Sequence, residues 1–132
     1  IHLYNMWLKM IKKFPLFGAL TLSLTVFISP SVLATDLTVE ENDTIVKEDI
    51  AAAQVMTEVC PAVIGQNAKL DSTIQQLIQS YLAEYSDKGM SYTKLQADSE
   101  YKSLLEEARQ GAKQTAKDEQ KTVCEEVLDY QG

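Results

Sequence analysis

Cys60 and Cys124 are the two cysteines of this 132-residue sequence, and a covalent bridge between them would constrain the fold more than any other feature. Such a bridge closes a loop of about 64 residues, and the chain entropy that it removes from the unfolded state corresponds to about 4 kcal/mol. That value is comparable with the whole free energy of unfolding of a small domain. Because the two cysteines lie far apart and form no Cys-x-x-Cys motif, we interpret them as a structural disulfide rather than as a redox-active thiol pair.

The first 34 residues indicate the compartment in which this bridge would form. Three lysines between positions 9 and 13 precede an apolar run over 14–28, and small residues lead up to Ala34. This order is typical of a secretory signal peptide, so we predict cleavage between Ala34 and Thr35 and a periplasmic or secreted protein. A membrane anchor is the alternative, but the run is shorter than the roughly 20 apolar residues that span a bilayer as a helix.

The composition after the predicted cleavage excludes several classes of protein. Removing 34 of 132 residues leaves 98, enough for one domain, and nine basic residues minus nineteen acidic ones give a net charge of −10. An acidic chain lacks the basic surface that nucleic-acid binding requires. Because tryptophan and phenylalanine occur only in the predicted leader, the core must combine aliphatic residues with five tyrosines, namely Tyr81, Tyr85, Tyr92, Tyr101 and Tyr130.

The pattern of apolar residues predicts two helices in the first half of the remaining chain. Residues 35–45 are largely polar and acidic and predict a flexible lead-in. Residues 46–59 predict a helix that Pro61 is expected to stop, and Pro61 is equally suited to start a new turn through Ile64 that Gly65 would end. The clearest helical period covers 73–86. We expect this second helix to be capped at its N-terminus by Asp71 or Ser72 and closed by a left-handed Gly89.

The second half of the chain predicts further helices. Thr93 is expected to cap a short turn, and Ser99 a helical stretch over 99–130, which is either one long helix with a polar middle or two helices with a bend. No stretch alternates between polar and apolar residues as a strand would. We therefore predict an all-α fold, a small disulfide-stapled up-and-down bundle of three to five helices, with a single helical domain over 46–132.

The residues that usually carry chemistry are scarce. Histidine is absent after the predicted leader, which removes the usual general base and the commonest metal ligand. Two cysteines alone cannot complete a tetrahedral zinc site. Two Ser-x-x-Lys tetrapeptides, at 91–94 and 99–102, lack the Ser-Asp-Asn and Lys-Thr-Gly motifs that would accompany them in penicillin-recognising enzymes. We therefore predict that the protein has no catalytic, cofactor-binding or metal site and that it is not an enzyme.

One charged pattern is a candidate contact. Basic residues recur every four positions at Arg109, Lys113, Lys117 and Lys121 within an acidic chain. On a continuous helix this spacing forms a ridge that drifts slowly around the axis. We predict that this basic ridge contacts an anion or a partner. The alternative is a solvated face whose charge is balanced by neighbouring acidic residues.

Three stretches carry a resemblance to known proteins: KEDIAAAQV at 47–55, the pair Cys60-Pro61, and VCEEVL at 123–128. Through them the chain resembles an uncharacterised family of small exported helical proteins from Moraxellaceae bacteria. The resemblance implies a bacterial periplasmic or secreted protein and supplies no catalytic residue. A weaker likeness, in format only, is to the acid-stress periplasmic chaperones, which are also exported, helical and held by one disulfide.

These features together predict a non-enzymatic binding or assembly protein of unknown ligand. Its partner would be a protein or another component of the cell envelope, or further copies of the same chain. We expect no stable membrane span after cleavage. Two alternatives are an acid-stress chaperone, whose apolar stripes open as its carboxylates are protonated, and an enzyme.

Overall fold

The computed structural model describes residues 36–130, in which every regular element is a helix. The elements are α1 (Val39–Ile64), α2 (Ala68–Leu82), α3 (Tyr92–Leu95), α4 (Ser99–Gln114) and α5 (Lys117–Leu128). All five belong to one compact unit that begins at Val39. The predicted all-α class is confirmed, and so is the predicted number of helices. The predicted signal peptide and its cleavage position between Ala34 and Thr35 lie outside the described residues.

Helix α1 begins at Val39, earlier than its sequence pattern predicts. Most of the stretch that we expected to be a flexible lead-in is therefore helical. Contacts with the chain after α2 hold it: Asn42 Nδ2 donates to the Glu84 carbonyl at 3.1 Å, and the Ser86 amide donates to Asp43 Oδ1 at 2.9 Å. These partners lie more than forty positions away, so local sequence could not indicate them.

The prediction that Pro61 stops α1 is wrong, because the helix continues to Ile64. Proline lacks an amide hydrogen and removes one helical hydrogen bond, a loss that is tolerated here in the last turn. Gly65 ends the helix instead, with a φ of 81° and an amide that donates to the Pro61 carbonyl at 3.1 Å. This left-handed conformation favours glycine.

Helix α2 is capped by Asn67, not by Asp71 or Ser72. The Asn67 side-chain oxygen accepts hydrogen bonds from the amides of Lys69 and Leu70, at 2.9 and 3.3 Å. The chain can use this earlier cap because α1 ends just before it at Gly65. The helix then begins at Ala68 and already ends at Leu82.

The predicted left-handed closure by Gly89 is also wrong, since Gly65 is the one described glycine with a positive φ. The Gly89 amide donates to Asp87 Oδ1 at 2.8 Å in a turn after the helix.

The stretch over 99–130 consists of two helices. Thr115 is extended between α4 and α5, with a φ of −85° and a ψ of 131°. The caps lie one or two residues before the predicted ones: Ser91 accepts from the Lys94 amide and Asp98 from the Tyr101 amide. The sequence did not decide between one long helix and two helices. The chain bends in the polar run, which has few apolar side chains to bury.

Hydrogen-bonded pairs establish the direction of each long helix. Lys47 meets Glu100 near the start of α1 and α4, and Glu58 meets Arg109 further along both, so these helices run parallel. The contact of Asn42 with the residue at position 84 makes α2 antiparallel to α1. Gln120 Nε2 donates to the Ala112 carbonyl at 2.6 Å across the corner between α4 and α5. The predicted up-and-down order is confirmed.

The core lies where α1, α2 and α5 meet. Helices α2 and α5 both pack on α1 and also on each other. The Cys60–Cys124 disulfide joins α1 to α5 with an S–S distance of 2.09 Å, and both cysteines are buried, so the predicted bridge is confirmed. The largest fully buried aliphatic side chains of the unit are Val46, Ile50, Val55, Leu70, Ile74, Leu95 and Val127.

Candidate functional site

The most polar part of the interior lies between α1 and α4. Lys47, Gln54 and Glu58 occur at spacings of seven and four, which places them on one side of α1. Their partners come from the chain between α3 and the middle of α4. We call this set the polar seam, comprising Lys47, Gln54 and Glu58 of α1 with Gln96, Asp98, Glu100, Tyr101 and Arg109.

Lys47 is the buried charge of the seam, with 6% of its surface exposed. Its Nζ donates to Glu100 Oε2 at 2.7 Å and lies 3.2 Å from Asp98 Oδ1. The hydroxyl of Thr44 donates to the other oxygen of Glu100 at 2.8 Å. A buried ammonium group is costly unless it is paired and hydrogen-bonded, and this arrangement supplies two carboxylates.

These contacts hold the cluster in its charged form at neutral pH. Burial alone would lower the pKa of Lys47, but the hydrogen bonds to Glu100 and Asp98 raise it above its usual value. The bond from Lys47 lowers the pKa of Glu100. The pKa of Asp98 is lowered first by the backbone amide of Tyr101 and then by Lys47. Groups shifted in these directions form a stable ion pair and exchange no proton near pH 7.

The middle of the seam is neutral. Tyr101 is fully buried and donates from its hydroxyl to Gln54 Oε1 at 2.6 Å. Gln96 Nε2 donates to the same oxygen at 3.0 Å and to the Tyr92 carbonyl at 3.3 Å. Burial raises the pKa of Tyr101, so the hydroxyl stays protonated. These side chains satisfy one another and set the register of α4 on α1.

The outer end of the seam is a two-point ion pair. Arg109 donates from Nε and from its terminal nitrogen to the two oxygens of Glu58, at 3.0 and 2.7 Å. The hydrogen bond from Arg109 lowers the pKa of Glu58. Both side chains are 39% exposed, so solvent screens the pair and its contribution to stability is modest.

The basic ridge predicted from the sequence is divided between two helices. Arg109 and Lys113 lie on α4, and Lys117 and Lys121 lie on α5 beyond the bend at Thr115. Arg109 is engaged by Glu58, and Lys121 lies 4.0 Å from Glu125. A contact of these residues with an anion or a partner stays a prediction, and its exposed members are Lys113, Lys117 and Lys121.

Two neighbouring carboxylates on α1 differ from those of the seam. Burial, together with the charges of Glu48 and Glu84, raises the pKa of Asp49 to about 6. Burial, followed by the charges of Glu107 and Glu100, raises the pKa of Glu48. The sequence pattern did not single out either residue. Within 36–130 no cluster of three or more potential metal ligands occurs.

Substitution of Asp49 tests its altered ionisation. Folding raises this pKa to about 6 from an ordinary 3.8, so ionisation of the carboxyl costs stability above pH 6, and the cost disappears as the pH falls below 3.8. Asp49→Asn should therefore raise the free energy of unfolding by about 1 to 2 kcal/mol at pH 7.5. The gain should be largely gone at pH 4. Urea titrations of both proteins across this range measure the difference, and a pH-independent difference would contradict the assignment.

Comparison with known protein families assigns the chain to one of them. The family model described as a domain of unknown function (DUF7944) matches residues 46–127. The chain belongs to this family. The matched region contains both cysteines and the whole polar seam. No curated protein and no solved structure matches the chain.

The DUF7944 assignment agrees with the uncharacterised family expected from the sequence. It names no activity. No helix within the described residues has both the length and the apolar character to cross a bilayer.

Proposed function

We propose that this DUF7944 protein is a non-enzymatic binding or assembly protein of the bacterial periplasm or exterior. The observation that carries the proposal is the buried Cys60–Cys124 disulfide, which joins α1 to α5 within the family region. Disulfides persist in oxidising compartments, and the basic and apolar leader would deliver the chain to one. The sequence resemblance favours an origin in Moraxellaceae.

The polar seam supports a structural rather than a catalytic use of its side chains. Each seam residue is hydrogen-bonded or ion-paired to another protein group. The shifted pKa values of Lys47, Glu58 and Glu100 keep these groups charged at neutral pH, whereas a general acid or base works best with a pKa near the working pH. The exposed surface is therefore where we propose that a partner binds.

Cross-linking in the native envelope tests the proposal. The tagged full-length chain would be expressed in its own bacterium, fractionated and cross-linked before purification. We expect the protein in the periplasmic or extracellular fraction together with a specific cross-linked partner. Substitution of Lys113, Lys117 and Lys121 by glutamine should reduce that adduct if the basic ridge contributes. Substitution of Lys69, Lys88 and Lys102 by glutamine is the matched control on other exposed positions. A cytoplasmic monomer without a specific adduct would contradict the proposal.

A second candidate, an acid-stress chaperone, is favoured by the ion pairs of the polar seam. Acid would protonate Glu58, Asp98 and Glu100 and leave Lys47 buried without a counter-charge. Apolar surface exposed in this way could bind unfolding proteins. A client aggregation assay at pH 3 and pH 7 tests this candidate. Suppression at pH 3 alone supports it, and equal aggregation with and without the protein at pH 3 rejects it.

A further inference from the structure

Helix α4 is attached to the unit differently from the other long helices. Helices α1, α2 and α5 each pack on the other two, and the disulfide joins α1 to α5 within this triangle. Within the described residues, α4 packs extensively against α1 alone among the helices. It buries three residues, Tyr101, Leu105 and Ala112, as many as α5 and half as many as α2. Its attachment therefore depends on a single interface.

The polar seam runs along that single interface. Ion pairs lie at both ends, with Lys47 between Asp98 and Glu100 near the start of α4 and Arg109 on Glu58 further along the helix. The neutral bond from Tyr101 to Gln54 lies between them. By contrast, the covalent bridge lies between α1 and α5. Charge thus contributes more to holding α4 than to holding the triangle.

Acid weakens this attachment selectively. The pKa values of Glu58, Asp98 and Glu100 are lowered in the folded protein. Groups shifted in this direction stabilise the fold above their ordinary pKa of about 4, and the stabilisation is lost as the pH falls through their lower folded values. Lys47 stays charged throughout this range and becomes a buried ammonium group without a counter-ion.

We propose that acid releases α4 from α1 while the disulfide-linked triangle of α1, α2 and α5 stays folded. The polar seam would then hold α4 on α1 at neutral pH and release it in acid. This release concerns the fold alone, and it does not depend on which partner the protein binds or on chaperone activity. It predicts a partly open state with defined boundaries rather than general acid unfolding.

Neighbouring charges set the pH at which release begins. Lys47 faces the ring of Tyr85 at 6.0 Å as well as its two acids, and Arg109 lies 4.0 Å from Glu106. Other charges act on the same groups: Glu48 repels Glu100, and Tyr92 lies close to both Glu58 and Arg109. The raised pKa values of Glu48 and Asp49 mean that protonation of these two residues first stabilises the closed form. Release is therefore expected between about pH 4 and pH 3, after this stabilisation is complete.

Hydrogen exchange measured by mass spectrometry tests the proposal on the disulfide-intact protein. Exchange would be followed from pH 7 to pH 3 and corrected for the intrinsic effect of pH. We expect peptides from 99–114 to lose at least ten-fold in protection at pH 3, while those from 46–60 and 70–81 keep theirs. Uniform loss across all helices would overturn the proposal, as would an α4 that stays as protected as α2.

A variant tests the same release at neutral pH, without any change in acidity. Asp98→Asn with Glu100→Gln removes both carboxylates around Lys47, and it should reproduce the loss of α4 protection at pH 7. Glu119→Gln with Glu126→Gln neutralises two exposed acids of α5 as a matched control and should leave α4 protected. Equal protection of α4 in the two variants at pH 7 would also overturn the proposal.

Discussion

Replacing both Cys60 and Cys124 by alanine is expected to lower the free energy of unfolding by about 4 kcal/mol, the value for a closed loop of this length. The two cysteines are 64 positions apart in sequence, and both side chains are buried. Solvation of the replaced side chains should therefore not compensate for the lost bridge. A small domain has a total stability of about 5 to 15 kcal/mol, and this change removes a large part of it. We expect the variant to be largely unfolded, or to melt well below the parent protein.

Urea denaturation followed by circular dichroism at 222 nm measures this loss. The parent protein treated with a reductant under mild denaturation is the matched control, because it breaks the same bond without changing the sequence. Both should lose similar stability. A variant within about 1 kcal/mol of the parent would show that the apolar core holds the bundle without the bridge.

Removing the two carboxylates around Lys47 is expected to have the second largest effect. Asp98→Asn with Glu100→Gln leaves the buried ammonium group of Lys47 without a counter-charge. Because breaking a buried ion pair in this way is costly, we expect the free energy of unfolding to fall by about 3 kcal/mol. Asparagine is also a good N-cap, so the start of α4 is preserved. The same urea titration at pH 7 measures the loss.

The reciprocal variant separates charge from packing. Lys47→Met removes the buried charge and leaves acids that are 30% and 48% exposed, which water can solvate. It should therefore cost less than the double variant. Adding Lys47→Met to the double variant should recover most of the lost stability, because an apolar residue can replace a buried ion pair at little cost. A double variant that is no less stable than Lys47→Met would contradict the role of Lys47 as a buried, paired charge.

The sequence predicted those parts of the fold that depend on local hydrophobic periodicity and on the presence of two cysteines. The apolar stripe of α2 and the pairing of Cys60 with Cys124 follow from such patterns, whereas the sequence left open whether the chain bends after Gln114. Element boundaries were less predictable where distant residues decide them. Residues 40–44 are polar, and they are helical because Asn42 and Asp43 bind the chain beyond α2.

The polar seam could not be predicted from the sequence, for a related reason. Lys47 lies in the run Lys47-Glu48-Asp49, which is typical of a solvated helix surface. Its partners lie about fifty positions later and meet it only when α4 packs parallel to α1. One signal was present: Lys47, Gln54 and Glu58 share a helix face with the buried Ala51. Polar residues that recur along a largely buried face indicate partners across an interface.

The basic ridge shows the opposite outcome. Its spacing of four suggested one continuous surface, but the bend at Thr115 divides it and Glu58 engages Arg109. A ridge that crosses an unsettled helix boundary is therefore a weaker prediction than one within a single helix.

Mass spectrometry of the native protein, isolated from its own cells with free thiols blocked at lysis, tests export and the disulfide in one experiment. We expect a mature chain that begins at Thr35 and a linked pair of peptides containing Cys60 and Cys124. Recovery of both cysteines in alkylated form from a chain that retains residues 1–34 would contradict export and the disulfide together.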